Sequence, residues 1–385
     1  MRSPSPGSLT KSVTYIHRGI LDARRIVTHV QKVHLHSCIV LAASVSICAP
    51  QARAGDEETT ARITRQIAPL VTFFQPDRSK VPTETLVDSL IDGKAARTQL
   101  FRLESLLRLY RRAFPDLEKY RREVKELEDG LGDYAFATDS VNFARDKFNR
   151  ENETQAPSAA RKAEQERVLA GLERKKAVAR RVLTKRVEKS RLGADLPRLR
   201  SVVISRFAGW SSSKDLAYVK VELQRLLKDV RDGRFDFNRL EDGIHEFRRR
   251  LRWFPVLIDS LDGLILVRDD PPMACAVPAL KSLAESDVAK HRYSNPPLRF
   301  PATPSCTISR CLLWQVVKTT NDIGNLKDDA QGNAAIAAAL DDDIDVAVGN
   351  YVTAEQSASA RAMRTEILSS RALDSVMTQL SSCQP

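Results

Sequence analysis

With 385 residues and a formal net charge of +12, the chain is too long for a single compact helical core and carries the charge of a protein with an anionic partner. Aromatic residues make up only 6% of it; β-branched runs are few and Leu, Ala, Arg, Glu and Lys dominate, which excludes a β-rich fold and points to all-α. The charge is uneven, because residues 161–200 hold 14 Lys and Arg against 5 Asp and Glu, whereas residues 312–385 hold 5 against 10.

The N-terminus reads as an export signal. Residues 38–49 form an apolar run too short to span a bilayer. Ala52, Arg53 and Ala54 then give the small-x-small pattern of a signal peptidase site, with cleavage expected before Gly55. The 37 residues ahead of the run are long for such a leader. A true start near Val30 or Val33 would leave Lys32, His34 and His36 as a short basic leader. Cys48 does not suit lipid attachment, because Ile47 occupies a position that wants a small residue. The expected organisation is an extension and signal peptide over 1–54 and one domain over 55–385, exported to a periplasm or the exterior, with no membrane span once the signal is removed.

Periodicity predicts helices over 57–74, 84–112, 115–131, 135–150 and 159–190, with Gly193 and Pro197 closing the set. A second series begins near Lys214, where Ser211, Ser212 and Ser213 offer N-caps. It continues over 214–230 and 236–265, with Asp236 as N-cap of the latter, and Pro255 should kink that helix or restart it. Residues 269–304 contain seven prolines and no sustained period, which reads as a loop-rich insertion held by Cys275 and Cys306. Helical signal returns at 309–325 and 353–381.

After cleavage four cysteines remain, Cys275, Cys306, Cys311 and Cys383. An even number in an oxidising compartment suggests two disulfides, one of which would anchor the C-terminal tail. A zinc site lacks the CxxC spacing and the paired histidines it would need.

The most informative stretch is residues 244–254. On a helix, His245, Arg248, Arg249 and Arg252 fall within about 100° of one another. Leu240, Ile244, Phe247, Leu251 and Phe254 take the opposite, core-seeking side. Neighbouring like charges on a helix repel, and a multivalent anion lying across them removes that penalty. Upstream, Lys94, Arg97, Arg108 and Arg112 share a face opposite Leu100, Leu103 and Leu107. In the 165–189 segment, Arg167, Arg174, Arg181 and Lys185 form a stripe about 40° wide. Three such helices would fit one long cationic groove.

An internal repeat runs through these helices. Aligning Leu103 with Phe254 places Lys94 on His245 and Arg97 on Arg248. Residues 124–134 can be laid over 316–326, bringing Leu131 and Gly132 onto Ile323 and Gly324. The basic helix precedes the glycine by 38 residues in one half and 79 in the other, and the Pro-rich insertion accounts for nearly all the difference. Duplication followed by divergence explains both.

These residues resemble the CHAD domain family, whose mark is a repeated helix reading roughly His-x-x-Arg-x-x-x-Arg followed by a Leu-Gly-x-x-x-Asp helix end. His245, Arg248 and Arg252 match the first element; Ile323, Gly324 and Asp328 approximate the second. The resemblance covers most of residues 60–381 and implies two pseudo-symmetric four-helix-bundle halves, 60–200 and 201–385, with a basic central channel. The second half would carry the Pro- and Cys-rich insertion at 269–308. It implies binding of inorganic polyphosphate and no catalysis. In the first half Lys94 stands for the histidine, Phe101 and Glu104 for arginines, and Phe136 for the aspartate after Gly132. The insertion and the export signal also depart from the family.

Phosphate suits these side chains on chemical grounds, since Arg presents a planar fork to two oxygens and Lys adds a point charge. His245, crowded by Arg248, Arg249 and Arg252, should resist protonation until an anion binds. The sequence lacks the GxSxG, HExxH, P-loop and paired-carboxylate motifs of enzymes, and calls for no cofactor or metal. The acidic run with Asp341, Asp342, Asp343 and Asp345 reads as a solvated helix end. Specific nucleic-acid signatures are also missing. The remaining alternatives are a cell-envelope scaffold or a protein that binds nucleic acid or an anionic surface through its charge.

Overall fold

The computed structural model describes residues 54–74, 81–269, 282–297, 306–340 and 352–383. The export signal, Cys275 and the acidic run at 341–345 lie outside the described residues, as does the side chain of Lys94. All described residues belong to one unit running from Gln51 to Pro385. They are 82% helical, with two short strands, so the all-α expectation holds.

Seven helices precede the His245 region: α1 (Ala54–Phe74), α2 (Thr83–Asp92), α3 (Lys94–Tyr110), α4 (Leu117–Thr154), α5 (Ala159–Lys189), α6 (Leu192–Arg206) and α7 (Ser212–Asp232). A π-helical turn, Leu240–His245, leads directly into α8 (Glu246–Ser260). Strand β1 (Ile265–Arg268) and strand β2 (Cys306–Ser309) pair in parallel, Ile265 opposite Cys306. Between them lie α9 (Asp287–Lys290) and a 3₁₀ turn, Arg292–Ser294. The chain ends with α10 (Arg310–Leu340), α11 (Ala354–Ser369) and α12 (Ala372–Ser382).

Several boundaries differ from the periodic reading, and glycine and proline explain most of them. The expected 84–112 helix is broken at Gly93, whose N–H bonds Ser89 O at 2.9 Å and where a Cβ would lie 2.4 Å from that oxygen. Conversely, 115–131 and 135–150 are one helix, α4, because Gly130 and Gly132 serve side-chain approach and do not terminate it. Gly193 and Pro197 lie inside α6 and do not close the first series. Pro255 lies within α8, and no second helix starts there. Asp236 caps its own turn, accepting from the N–H of Asn238 at 3.1 Å, and Arg239 is the residue preceding the π turn. Ser211 does cap α7, accepting from the N–H of Lys214. The 353–381 segment is split between α11 and α12 at Arg371, which takes a left-handed φ of 53°.

The core is one continuous apolar layer drawn from all twelve helices except α5's outer face, α9 and the far end of α10; it includes Leu100, Leu103 and Leu107 of α3 and Phe247, Leu251 and Phe254 of α8. Those are the apolar faces expected opposite the basic stripes. A smaller cluster, with Val141, Phe148, Val168, Leu172 and Ala335, joins α4, α5 and α10. Helix α3 packs on α4 and α8, α8 on α10, and α5 on α4, α10 and α2. Disulfide Cys306–Cys383, with Cα atoms 5.1 Å apart, ties the end of the chain to β2. Cys306 therefore anchors the tail, and Cys311 is also disulfide-bonded.

Candidate functional site

The cationic faces of α3 and α8 meet along a seam flanked by α4 and α10. Helix α8 enters it from the π turn, whose tightest point is Gly243, where a Cβ would fall 1.8 Å from Asp236 O. Only glycine lets the chain pass there. Single π turns inside helices recur at functional sites, and this one ends on His245.

Arg248 lies against α10. Its Nε donates to Thr320 O at 3.4 Å, and a Cβ at Gly324 would lie 2.8 Å from that Nε. Gly324 thus clears the surface on which the guanidinium rests. The first half repeats the arrangement more loosely, since a Cβ at Gly132 would lie 3.6 Å from Nη2 of Arg97. The two arginines and the two glycines aligned by sequence are therefore also paired in space.

Arg252 is largely buried, with its guanidinium 4.6 Å from the ring centre of Phe101. In the internal alignment Phe101 is the counterpart of Arg252 itself. Two arginines there would face each other; the ring gives Arg252 a cation–π contact instead. Phe101 packs on Trp253 at 5.7 Å, and Arg108 covers the other ring at 4.7 Å. The arginine-to-phenylalanine departure thus sits where it separates like charges.

The electrostatics follow from burial. Among the described residues Arg108, Arg248 and Arg252 have no carboxylate within 4.0 Å. Burial pushes Arg252 down to about 10, and Arg248 beside it pushes the same way. Burial also lowers Arg248, with Asp328 opposing and Arg97 reinforcing. Arg108 is lowered by burial against the pull of Glu104. His245 is lowered as expected, but burial is the main cause; Glu241, 3.6 Å away, opposes it, while Lys327, Arg248 and Arg249 add to it. Acids at the seam respond in the same way. Glu128 is pushed up by burial despite Arg97 at 3.6 Å, and Glu104 is pushed up despite Arg121 at 3.5 Å.

The predicted residues separate into three groups. Arg97, His245, Arg248 and Arg252 come together, and Arg108 joins Arg249 on the Trp253 side of the seam. Arg112 points elsewhere, toward Glu222 at 3.7 Å. Arg167, Arg174, Arg181 and Lys185 are all exposed on α5, whose packing partners are α4, α10 and α2. The α5 stripe is thus a separate outer surface, and α3 and α8 alone form the seam. Residues that sequence reasoning missed include Lys327, Glu128, Trp253 and Tyr293. Glu128 had a weak signal as an acid one helical turn before Gly132; Tyr293 had none, since it lies in an aperiodic segment.

Among the described residues no three metal-ligating side chains come together, and no helix is long and apolar enough to cross a membrane. Comparison with protein-family models, curated proteins and solved structures gives no match.

Proposed function

We propose that this chain is an exported, non-enzymatic CHAD-like domain that binds inorganic polyphosphate, or a polyanion of the same kind, along the α3–α8 seam. The observation that carries the reading is the pair Arg248 and Arg252, largely buried guanidiniums with no carboxylate partner among the described residues. A buried charge is unfavourable unless paired, and an anion supplying oxygens to both forks provides the pairing. The resemblance of the His245, Arg248 and Arg252 helix to the family, and of Gly324 with Asp328 to its second element, supports a linear phosphate polymer. Two pseudo-symmetric halves and a central channel belong to this proposal. The alternative, charge-only attachment to an anionic envelope surface or nucleic acid, is favoured by the exposed cations of α5.

Calorimetry of the full chain with long-chain polyphosphate at about 0.15 M salt, where exposed charges are screened beyond roughly 8 Å, separates the two. The proposal expects tight binding that weakens at least about a hundredfold in His245→Ala/Arg248→Ala/Arg252→Ala, at roughly 1.5 kcal/mol or more for each charged hydrogen bond lost, with duplex DNA binding poorly. Equal, weak binding of every polyanion that ignores the triple substitution sinks the proposal.

A further inference from the structure

The basic stripe of α8 does not run the length of the helix. One heptad beyond Arg252, within about 20° of the same line, stands Asp259, a carboxylate 1% exposed. Arg102 of α3 grips it through Nε at 2.7 Å and Nη2 at 2.9 Å, and Arg292 adds a third bond at 3.1 Å. At the far end of the seam the arginines are therefore already engaged by a carboxylate of the protein itself.

A strap from the segment between β1 and β2 lies over that end. Arg292 also donates to Thr98 Oγ1 at 2.8 Å on α3. Tyr293 packs on Phe101, Trp253 and Val256, the same aromatic surface that carries Arg252. From the other side Arg310 of α10 holds the strap at Asn295 Oδ1, 3.1 Å away. One residue farther on, Cys311 is disulfide-bonded. The opposite end of the stripe is open: the side chains of His245, Arg249 and Arg97 are 33%, 44% and 42% exposed.

We infer that the seam is blind-ended, closed beyond Arg252 by Arg292, Tyr293 and the Asp259 cluster, so that the ligand enters at His245 and seats a chain terminus at Arg252. The inference rests on the polyphosphate reading and adds to it which part of the polymer is bound. Between His245 and Arg252 lie about 10 Å of helix at 1.5 Å per residue, room for a few linked phosphates. A terminal phosphate carries more charge than an internal one, which matches two neighbouring unpaired guanidiniums. Across the path of a longer polymer lie Arg292, bridging Thr98 of α3 to Asp259 of α8, and the Tyr293 ring packed beside it.

The test compares a short polyphosphate with one several times longer, measuring protein bound per chain by sedimentation. The full chain is expected to load one molecule per chain end, whatever the length. Arg292→Ala/Tyr293→Ala, verified as folded by its helical circular dichroism, is expected to fill the interior of the long chain and raise its load several-fold. Loading of the parent protein that grows with polymer length overturns the inference while leaving polyphosphate binding intact. So does a folded strap variant that still loads only ends. Failure of either polymer to bind the parent overturns the polyphosphate reading, and the blind end with it.

Discussion

Arg62 is a fully buried arginine and Arg252 a partly buried one, both on helices, and their surroundings are opposite. Arg62 of α1 is 1% exposed and bonds Asp215 Oδ2 at 3.0 Å; Thr59 donates to the same oxygen at 2.9 Å and Tyr110 to Oδ1 at 2.6 Å. Arg252 has an aromatic face, the cations Arg248 and Arg97 near it, and Glu128 as an opposing charge beyond ion-pair distance. The same side chain is thus structural where the fold supplies a direct ion pair. Where no carboxylate comes within ion-pair distance, the guanidinium is left for something to bind. Buried ion pairs contribute little net stability, but breaking one leaves a costly bare charge.

The sharpest way to break this comparison is to make Arg62 resemble Arg252. Asp215→Asn should destabilise the fold by about 3–5 kcal/mol, read from denaturant unfolding. Arg252→Ala should cost little stability, or raise it, because it removes an uncompensated charge. Similar losses from both would show that Arg252 is paired after all.

A smaller effect is expected at Gly324. Gly324→Ala places a methyl against Nε of Arg248, which must swing aside. Alanine is favoured over glycine in a helix interior by about 1 kcal/mol, so thermal stability should hold or rise while polyphosphate affinity falls about tenfold, a loss near 1.4 kcal/mol. Unchanged affinity would remove Arg248 from the site.

His245 sharpens the contrast through pH. Its folded value lies below the ordinary 6.5, so the unfolded chain binds the proton more readily. Stability from the neutral ring is present above about pH 6.5 and is lost as pH falls through the ordinary value toward the folded one. A bound polyanion favours the protonated ring, so affinity should rise over the same interval with proton uptake. His245→Gln should flatten both profiles. A parent profile as flat as the variant's would place the ring outside the site.

The least effect belongs to α5. Arg174→Ala/Arg181→Ala removes exposed cations, and stability should move by less than about 0.5 kcal/mol. Any loss of polyanion affinity should disappear at high salt. A salt-resistant loss would extend the site onto this helix.

Local patterning made much of the fold legible. The 3.6-residue period placed α5 within a residue of its observed end, its apolar stripe running on through Gly171, and Ser211 was readable as a cap from its side chain alone. The same rules misread Gly132, because a small residue that admits a neighbouring side chain looks identical in sequence to one that ends a helix. They also misread Gly193 and Pro197, which lie inside α6 and do not act as breakers after its predecessor. Strand β1 went unread, since Ile265, Leu266 and Val267 form a short buried apolar run without a distinguishing period.

The sequence by itself determined the all-α class, the apolar and basic faces of α3 and α8, and the alignment of Arg97 with Arg248 and of Gly132 with Gly324. Each is a matter of spacing along one or two helices, where side-chain directions repeat in register with the chain. Only the tertiary structure decided which cations share a site. It left α5's stripe in solvent, turned Arg112 to Glu222, set Phe101 against Arg252, and brought Tyr293 and Arg292 over the seam. Those outcomes depend on how helices cross and on burial, and burial is what turns an arginine from a solvated surface charge into an unpaired one.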